Sequence, residues 1–215
     1  MQDFNELAQK WNTPERKARA TALAAAIRKT WAEAYPRTIL DYGAGTGLIA
    51  LELSHEAELI VGYDPAAGMR EAFQQNVNAT QNALVQKKLH PADSLENASA
   101  QLKTHQPQAK GFDAVVCSLV LHHIEDVVAT LKEMRTQQTA GGRIAIIDFE
   151  SGKYFGHPGD PAHLAHPGFS PSEIAAHLGA AGYKEIQVET AYQGTRESDT
   201  GTEKPYRLFI ATATL

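Results

Sequence analysis

Apolar positions along the chain fall into two alternating patterns. Short, nearly continuous runs occur at 38–40, Leu59–Tyr63, Phe112–Ser118 and 143–149. Such runs predict strands buried on both faces, as in a parallel sheet. Residues 83–89 are read as a further strand, third in chain order. Between the runs, apolar residues recur at helical spacing and predict helices over 14–34, 48–53, 65–79, 94–104, 124–138 and 171–181. In the second of these, Leu48, Ile49, Leu51 and Leu53 supply one buried face. Boundary residues agree: Thr13-Pro14 starts a helix and Pro36 stops it, Ser170-Pro171 with Glu173 forms a capping box, and Gly141-Gly142 and Gly182 close helices. Stretches 183–192 and 206–213 alternate and predict a closing antiparallel hairpin.

At the N-terminus, Phe4, Leu7 and Trp11 lie at helical spacing and are read as packing onto the domain. There is no internal repeat and no linker. The 215 residues suit one α/β domain, with residues 1–36 as a helical cap and 37–215 as the core.

Composition narrows the function classes. A net charge of −5 argues against a broad footprint on nucleic acid or an anionic membrane. No uninterrupted apolar run approaches the roughly 18 residues of a membrane span, so no stable membrane insertion is expected. The first residues, MQDFNELAQKW, lack the pattern of a secretory signal, and Cys117 is the single cysteine. A cytoplasmic location is expected, without disulfide or cysteine-zinc chemistry. His157, His163 and His166 lie in a Gly/Pro-rich stretch, 151–168, whose spacing matches no zinc pattern. No metal is expected, and the stretch is read as a loop covering substrate.

The chemistry concentrates in RTILDYGAGTGLIALEL, residues 37–53. A strand passes Asp41 and turns through Gly43, Gly45 and Gly47 into a helix. Glycines there let bare backbone N–H groups approach a ligand, and the helix start adds partial positive charge. A dinucleotide fingerprint needs G-x-G-x-x-G, yet the third position holds Leu48 or Ala50 in either register. Asp64 ends the second strand, seventeen residues past Gly47, where a carboxylate can accept from ribose hydroxyls. That placement suits any ribose-bearing ligand.

The D-x-G-x-G-x-G turn resembles motif I of the class I S-adenosylmethionine (SAM) methyltransferases. Further matches follow in order. Asp64-Pro65-Ala66-Ala67-Gly68-Met69 resembles the family's D-x-S-x-x-M, with the serine missing, and FDAVVCSLVLHHIED resembles its F-D-x-V-x-x-x-x-x-L-H-H-x-x-D. FNELAQKWN resembles an N-terminal cap segment. The likeness spans roughly residues 38–150 and points to the small-molecule branch that includes ubiquinone/menaquinone-type enzymes. It implies a Rossmann-like, doubly wound, seven-stranded, mostly parallel sheet with a C-terminal antiparallel hairpin. It also implies a cofactor site of Asp41, Gly43, Ala44, Gly45, Gly47, Asp64, Pro65, Met69, Asp93, Ser94, Cys117, Ser118 and Leu119.

Within that set Met69 either faces adenine or fills the core. Asp93 is assigned to the adenine amino group, and Ser94 to the cap of the next helix. His122 and His123, with Asp148 behind them, are candidates for a catalytic base, against the alternative that one caps helix 124–138 and the other packs. Cys117-Ser118-Leu119-Val120 lacks the Asn/Asp-Pro-Pro-aromatic run of amino methylases acting on nucleobases or protein glutamine.

The expected activity is methyl transfer from SAM to a small-molecule acceptor, leaving S-adenosylhomocysteine (SAH). Two alternatives are a non-catalytic SAM/SAH-binding protein and a nucleotide-dependent oxidoreductase, against which the glycine register speaks. Neither the accepting atom nor the oligomeric state is legible in these residues.

Overall fold

The computed structural model describes residues 4–151, 165–197 and 202–215. In chain order the elements are α1 (Phe4–Leu7), α2 (Pro14–Thr30), β1 (Thr38–Tyr42), α3 (Leu48–Leu53), β2 (Leu59–Tyr63), α4 (Ala67–Ala79), α5 (Ala83–Lys88) and β3 (Leu89–Ala92). There follow α6 (Leu95–His105), β4 (Phe112–Ser118), α7 (Val127–Thr136), β5 (Gln138–Phe149), α8 (Pro171–Ala180), β6 (Lys184–Glu197) and β7 (Glu203–Thr214). Short 3-10 turns lie at Ala8–Lys10 and Leu121–His123.

All seven strands share one sheet, in the order β3-β2-β1-β4-β5-β7-β6. Pairing from β3 through β5 is parallel, and β7 runs antiparallel to both β5 and β6. This is the doubly wound architecture with its C-terminal hairpin. The two-residue period of each strand sends alternate side chains into two cores. Along β4, Ala114 and Val116 pack with Leu23 and Ile27 of α2 and Phe73 of α4. Val115 and Cys117 face Leu102 of α6, Leu131 of α7 and Ile174 of α8. The strand order reverses between β1 and β4, where such sheets open a crevice beyond the strands' C-terminal ends.

Several elements depart from the sequence reading. The third strand is not 83–89: those residues begin a helix, because the Asn82 side chain accepts from the Leu84 and Val85 N–H groups and starts α5. The strand follows as Leu89–Ala92, and Pro91 is tolerated there because β3 is a sheet edge. The long first helix ends at Thr30, not Ala34, and passes through turns to Pro36. In α3 the fully buried residues are Ala50 and Leu53, while Leu48 and Ile49 are half-buried. Helix 124–138 is only Val127–Thr136, and neither histidine caps it: Asp126 accepts from the Ala129 N–H at 2.9 Å. Gly141 and Gly142 therefore lie within β5, in an irregular stretch where pairing with β4 jumps from Phe112 with Gln138 to Ala114 with Arg143.

The predicted capping box at α8 is present. Ser170 Oγ accepts from the Glu173 N–H at 3.2 Å, and the Ser170 N–H donates to Glu173 Oε2 at 2.7 Å. Ser170→Ala should lower stability by about 1 kcal/mol in a urea titration. An unchanged midpoint would mean that α8 is held by packing alone.

Candidate functional site

At the C-terminal ends of β1, β2 and β4 lies an open-mouthed cavity of about 1080 Å³, counting space open to solvent. The enclosed part, about 270 Å³, is near the lower end for a small-molecule site, and the rest opens to solvent. One wall is the glycine turn. Gly43, Gly45 and Gly47 have φ of +74°, +54° and +77°, a region that L side chains rarely adopt. The turn is locked from below, where the Gly43 and Ala44 N–H groups both donate to the Tyr63 carbonyl, at 2.8 and 2.9 Å.

Asp64, directly after β2, lies on the cavity wall. Its Oδ2 accepts from the Gly45 N–H at 2.8 Å and its Oδ1 from the Ala66 N–H at 2.9 Å. Burial raises its pKa, against the pull of those two N–H groups and Arg70. The same carboxylate thus braces the turn and presents its remaining lone pairs to the cavity. Asp41 sits behind the turn and is buried, and its Oδ2 has no hydrogen-bond partner among the described residues. Burial first, and the nearby Asp64 charge second, push its pKa up to about 7, with the Ala50 N–H pulling the other way.

The folded chain therefore holds the Asp41 proton up to about pH 7, whereas the unfolded chain loses it near 3.8. Stability contributed by that proton is fully present below the unfolded value and is lost as pH rises through about 7. A rise from 3.8 to about 7 corresponds to about 4 kcal/mol at most. Asp41→Asn should accordingly flatten the fall in urea-unfolding free energy between about pH 4 and 7. If the variant keeps the wild-type slope, the proton is bound elsewhere.

The N-terminal segment forms the roof. Asn5 Oδ1 accepts from the Gly68 N–H at 2.7 Å. Asn12 joins Thr46 Oγ1 at 2.6 Å and Asn76 at 3.0 Å, and Asn76 returns to the Thr46 carbonyl. These bonds hold Phe4 and Trp11 on the cavity wall, so two aromatics whose spacing suggests simple packing face the ligand space. Their rings lie edge-on at 6.1 Å, and Phe4 continues edge-on to His123 at 5.6 Å.

Beyond β4 the chain turns through Leu119, at φ +60°, into the 3-10 turn that carries both histidines. The two then part. His123 lines the cavity. His122 is 5% exposed and does not line it; its Nδ1 is bonded to Asp148 Oδ1 at 2.7 Å, in the core. Asp148, fully buried near the end of β5, also accepts from the backbone N–H groups of His122 and Phe149. Asp148 thus fixes the His122 ring and backbone, and the His122 ring packs 4.0 Å from that of His123. Asp148 holds His122 in the core, and of the two histidines His123 lines the cavity.

Of the other residues assigned to the cofactor, Gly43, Ala44, Gly45, Pro65, Met69, Ser118 and Leu119 line the cavity. Met69 is 2% exposed and borders the cavity, so it fills the core just beneath the wall. Gly47 is not on the wall; it serves the turn from behind. Cys117 is buried in the opposite core, where burial, then Asp148 and Asp41, push its thiol pKa well up. That leaves it inert rather than a cavity residue. Ser94 caps α6 by accepting from the Asn97 N–H. Asp93 is exposed just past β3 and is not part of the wall. Most of loop 151–168, with His157 and His163, lies outside the described residues. Its end is tied down where the Ala165 and His166 N–H groups donate to the His122 carbonyl.

Sequence reading missed Arg16 and Arg19, both on the cavity wall with Ala20 and Leu23. Their spacing, i, i+3, i+4, i+7, is that of one helix face, and two cations on an inward face were the available signal. Among the described residues no group of three His, Cys, Asp or Glu could hold a metal ion, and no helix is long and apolar enough to cross a membrane.

A family model described as a methyltransferase domain matches residues 15–188. An uncharacterized methyltransferase of Schizosaccharomyces pombe is 30% identical over 144 residues, covering 64% of this chain and 50% of that protein. A demethylmenaquinone methyltransferase of Deinococcus radiodurans is 33% identical over 116 residues, covering 53% and 44%. The chain thus spans half or less of the length of these relatives. Among solved structures, DhpI in complex with SAH superimposes with a TM-score of 0.66 at 17% identity, over 98% of this chain and 92% of that one, which shows a shared fold.

Proposed function

The chain belongs to the methyltransferase-domain family, and from that premise we propose that it transfers the methyl group of SAM to a small-molecule acceptor. The observation that carries this reading is the glycine turn braced by Asp64 on the wall of a cavity that opens at the C-terminal ends of β1, β2 and β4. The fit is specific. A Cβ at Gly43 would come within 2.4 Å of Val120, so only glycine permits the bend, and the bend leaves the cavity beside it clear of side chains.

In this reading SAM supplies an electrophilic methyl on a sulfonium. Asp64 accepts from the ribose hydroxyls, and Gly43 to Gly45 present backbone to the amino-acid portion. Met69 and Pro65 offer apolar surface to the base. Phe4, Trp11 and Leu119 exclude water from the line between acceptor and methyl, and alignment of that kind can supply about 7 kcal/mol or more. His123 takes the proton that an acceptor hydroxyl or amine loses as its lone pair forms the new bond. His122, held by Asp148, sets the His123 ring against Phe4.

The acceptor is a small molecule rather than nucleic acid, and the chain works in the cytoplasm. The acidic balance supports the first statement and the single cysteine the second. Calorimetry with SAH and with NAD tests the cofactor assignment, with binding of SAH alone expected. Release of SAH from SAM in the presence of a screened acceptor separates an enzyme from a binding protein. Binding of NAD in place of SAH would sink the reading.

A further inference from the structure

Arg16 and Arg19 place two guanidinium groups on the wall of one cavity. Arg16 is already committed: its guanidinium lies 3.8 Å over the Trp11 ring, and its Nη1 donates to the Trp11 carbonyl at 3.0 Å. Arg19 is bound more lightly, through Nη1 to the Tyr206 hydroxyl at 3.4 Å, and among the described residues it makes no ion pair with a carboxylate. A neutral phenol engages one of the five donors a guanidinium carries. Two like charges one helical turn apart, facing the same partly desolvated space, repel each other unless an anion joins them.

The sheet order says which ligand would bring that anion. Tyr206 belongs to β7, and its ring packs against Phe149 at the end of β5, with centroids 5.8 Å apart. Asp64 follows β2, which is three strands from β5 by way of β1 and β4. Arg19 and its phenol partner thus lie toward the β5–β7 side of the sheet, across β1 and β4 from the strand that ends at Asp64. The glycine turn, which seats the amino-acid portion of the cofactor, follows β1, the strand next to β2. Arg19 therefore faces the far compartment, past β4, where the acceptor must lie. The wall between is apolar, formed by Leu23, Leu119, Val120 and Ile124.

We propose that the methyl acceptor is an amphiphilic anion, with an apolar body against these side chains and a carboxylate or phosphate group held by Arg19, with Arg16 adding its field. This rests on the methyltransferase reading above and gives it a substrate class. No second arginine is needed for the grip: one guanidinium with most of its donors uncommitted is enough to seat one planar carboxylate.

The test uses SAH-saturated protein and two probes matched in shape, 4-phenylbutyrate and 4-phenylbutanamide, followed by calorimetry. The carboxylate is expected to bind at least about tenfold tighter than the amide. Arg19→Gln should remove that preference while leaving SAH affinity within about threefold, and Arg19→Lys, which keeps the charge without the fork, should restore part of it. Equal affinity for the two probes, or binding of neither, overturns the proposal. So does a tenfold loss of SAH affinity in Arg19→Gln, which would assign the guanidinium to the cofactor's own carboxylate. Failure of the wild-type protein to bind SAH would instead sink the parent reading, and this one with it.

Discussion

Gly47→Ala is expected to cost the fold several kcal/mol, whereas Gly45→Ala should cost ligand affinity and little stability. The two glycines are two residues apart, and both have positive φ. A Cβ on Gly47 would meet Phe73 Cδ2 at 2.3 Å, inside the core beneath α3 and α4. Left-handed strain of about 1–2 kcal/mol then adds to overpacking of about 1–3 kcal/mol. At Gly45 the nearest atom to a new Cβ is Met69 Sδ at 4.0 Å, so the methyl meets no clash. It stands instead where the turn faces the cavity. The strain there is about 1 kcal/mol, and a loss of SAH affinity of about tenfold or more is the larger effect. Urea titrations and SAH calorimetry on both variants check the pair. Gly45→Ala with SAH affinity within about threefold of wild type would show that the turn does not hold the cofactor.

The second large effect concerns the histidines, and it should separate two neighbours. His123→Ala is expected to lower kcat by about 10²- to 10⁴-fold, the span of a lost general base. SAH affinity and stability should remain near wild type, since His123 is on the cavity wall. Asp148→Asn should behave differently. Its carboxylate accepts three hydrogen bonds, from the His122 ring and from the backbone of His122 and Phe149, in a fully buried position. Replacing an oxygen by an amide donor leaves at least one of those N–H groups facing another, at a cost of about 1–3 kcal/mol. Turnover should fall with it, because the His123 ring loses the surface that orients it. Steady-state kinetics with an acceptor found by screening, paired with thermal melts, read both variants. A His123→Ala enzyme with unchanged kcat would remove the base and leave alignment as the whole of catalysis.

Local interactions set what is legible in the chain by itself. The bounds of β2, β4 and α3 and the α8 capping box follow from continuous apolar runs, periodicity and near-neighbour side chain–backbone bonds. So does the glycine turn, whose positive φ values only glycine adopts without strain. The third strand departs from its apolar pattern for a local reason too: one Asn82 side chain, by capping a six-residue helix, outweighs the strand propensity of the following run.

The site's working arrangement is decided at longer range. Nothing in a pair of adjacent histidines tells which one is captured, until Asp148, twenty-six residues on, draws His122 into the core. Arg19 reads as an ordinary helix-surface charge until β7 returns to lay Tyr206 against it, 187 residues later in the chain. Phe4 and Trp11 become cavity wall only because Asn5 and Asn12 bond to α4 and the glycine turn. Sequence alone determined where the glycine turn forms, because that depends on torsions of a few successive residues. Only the tertiary structure decided which side chains line the cavity beyond that turn, because those meet through contacts between segments that are remote along the chain.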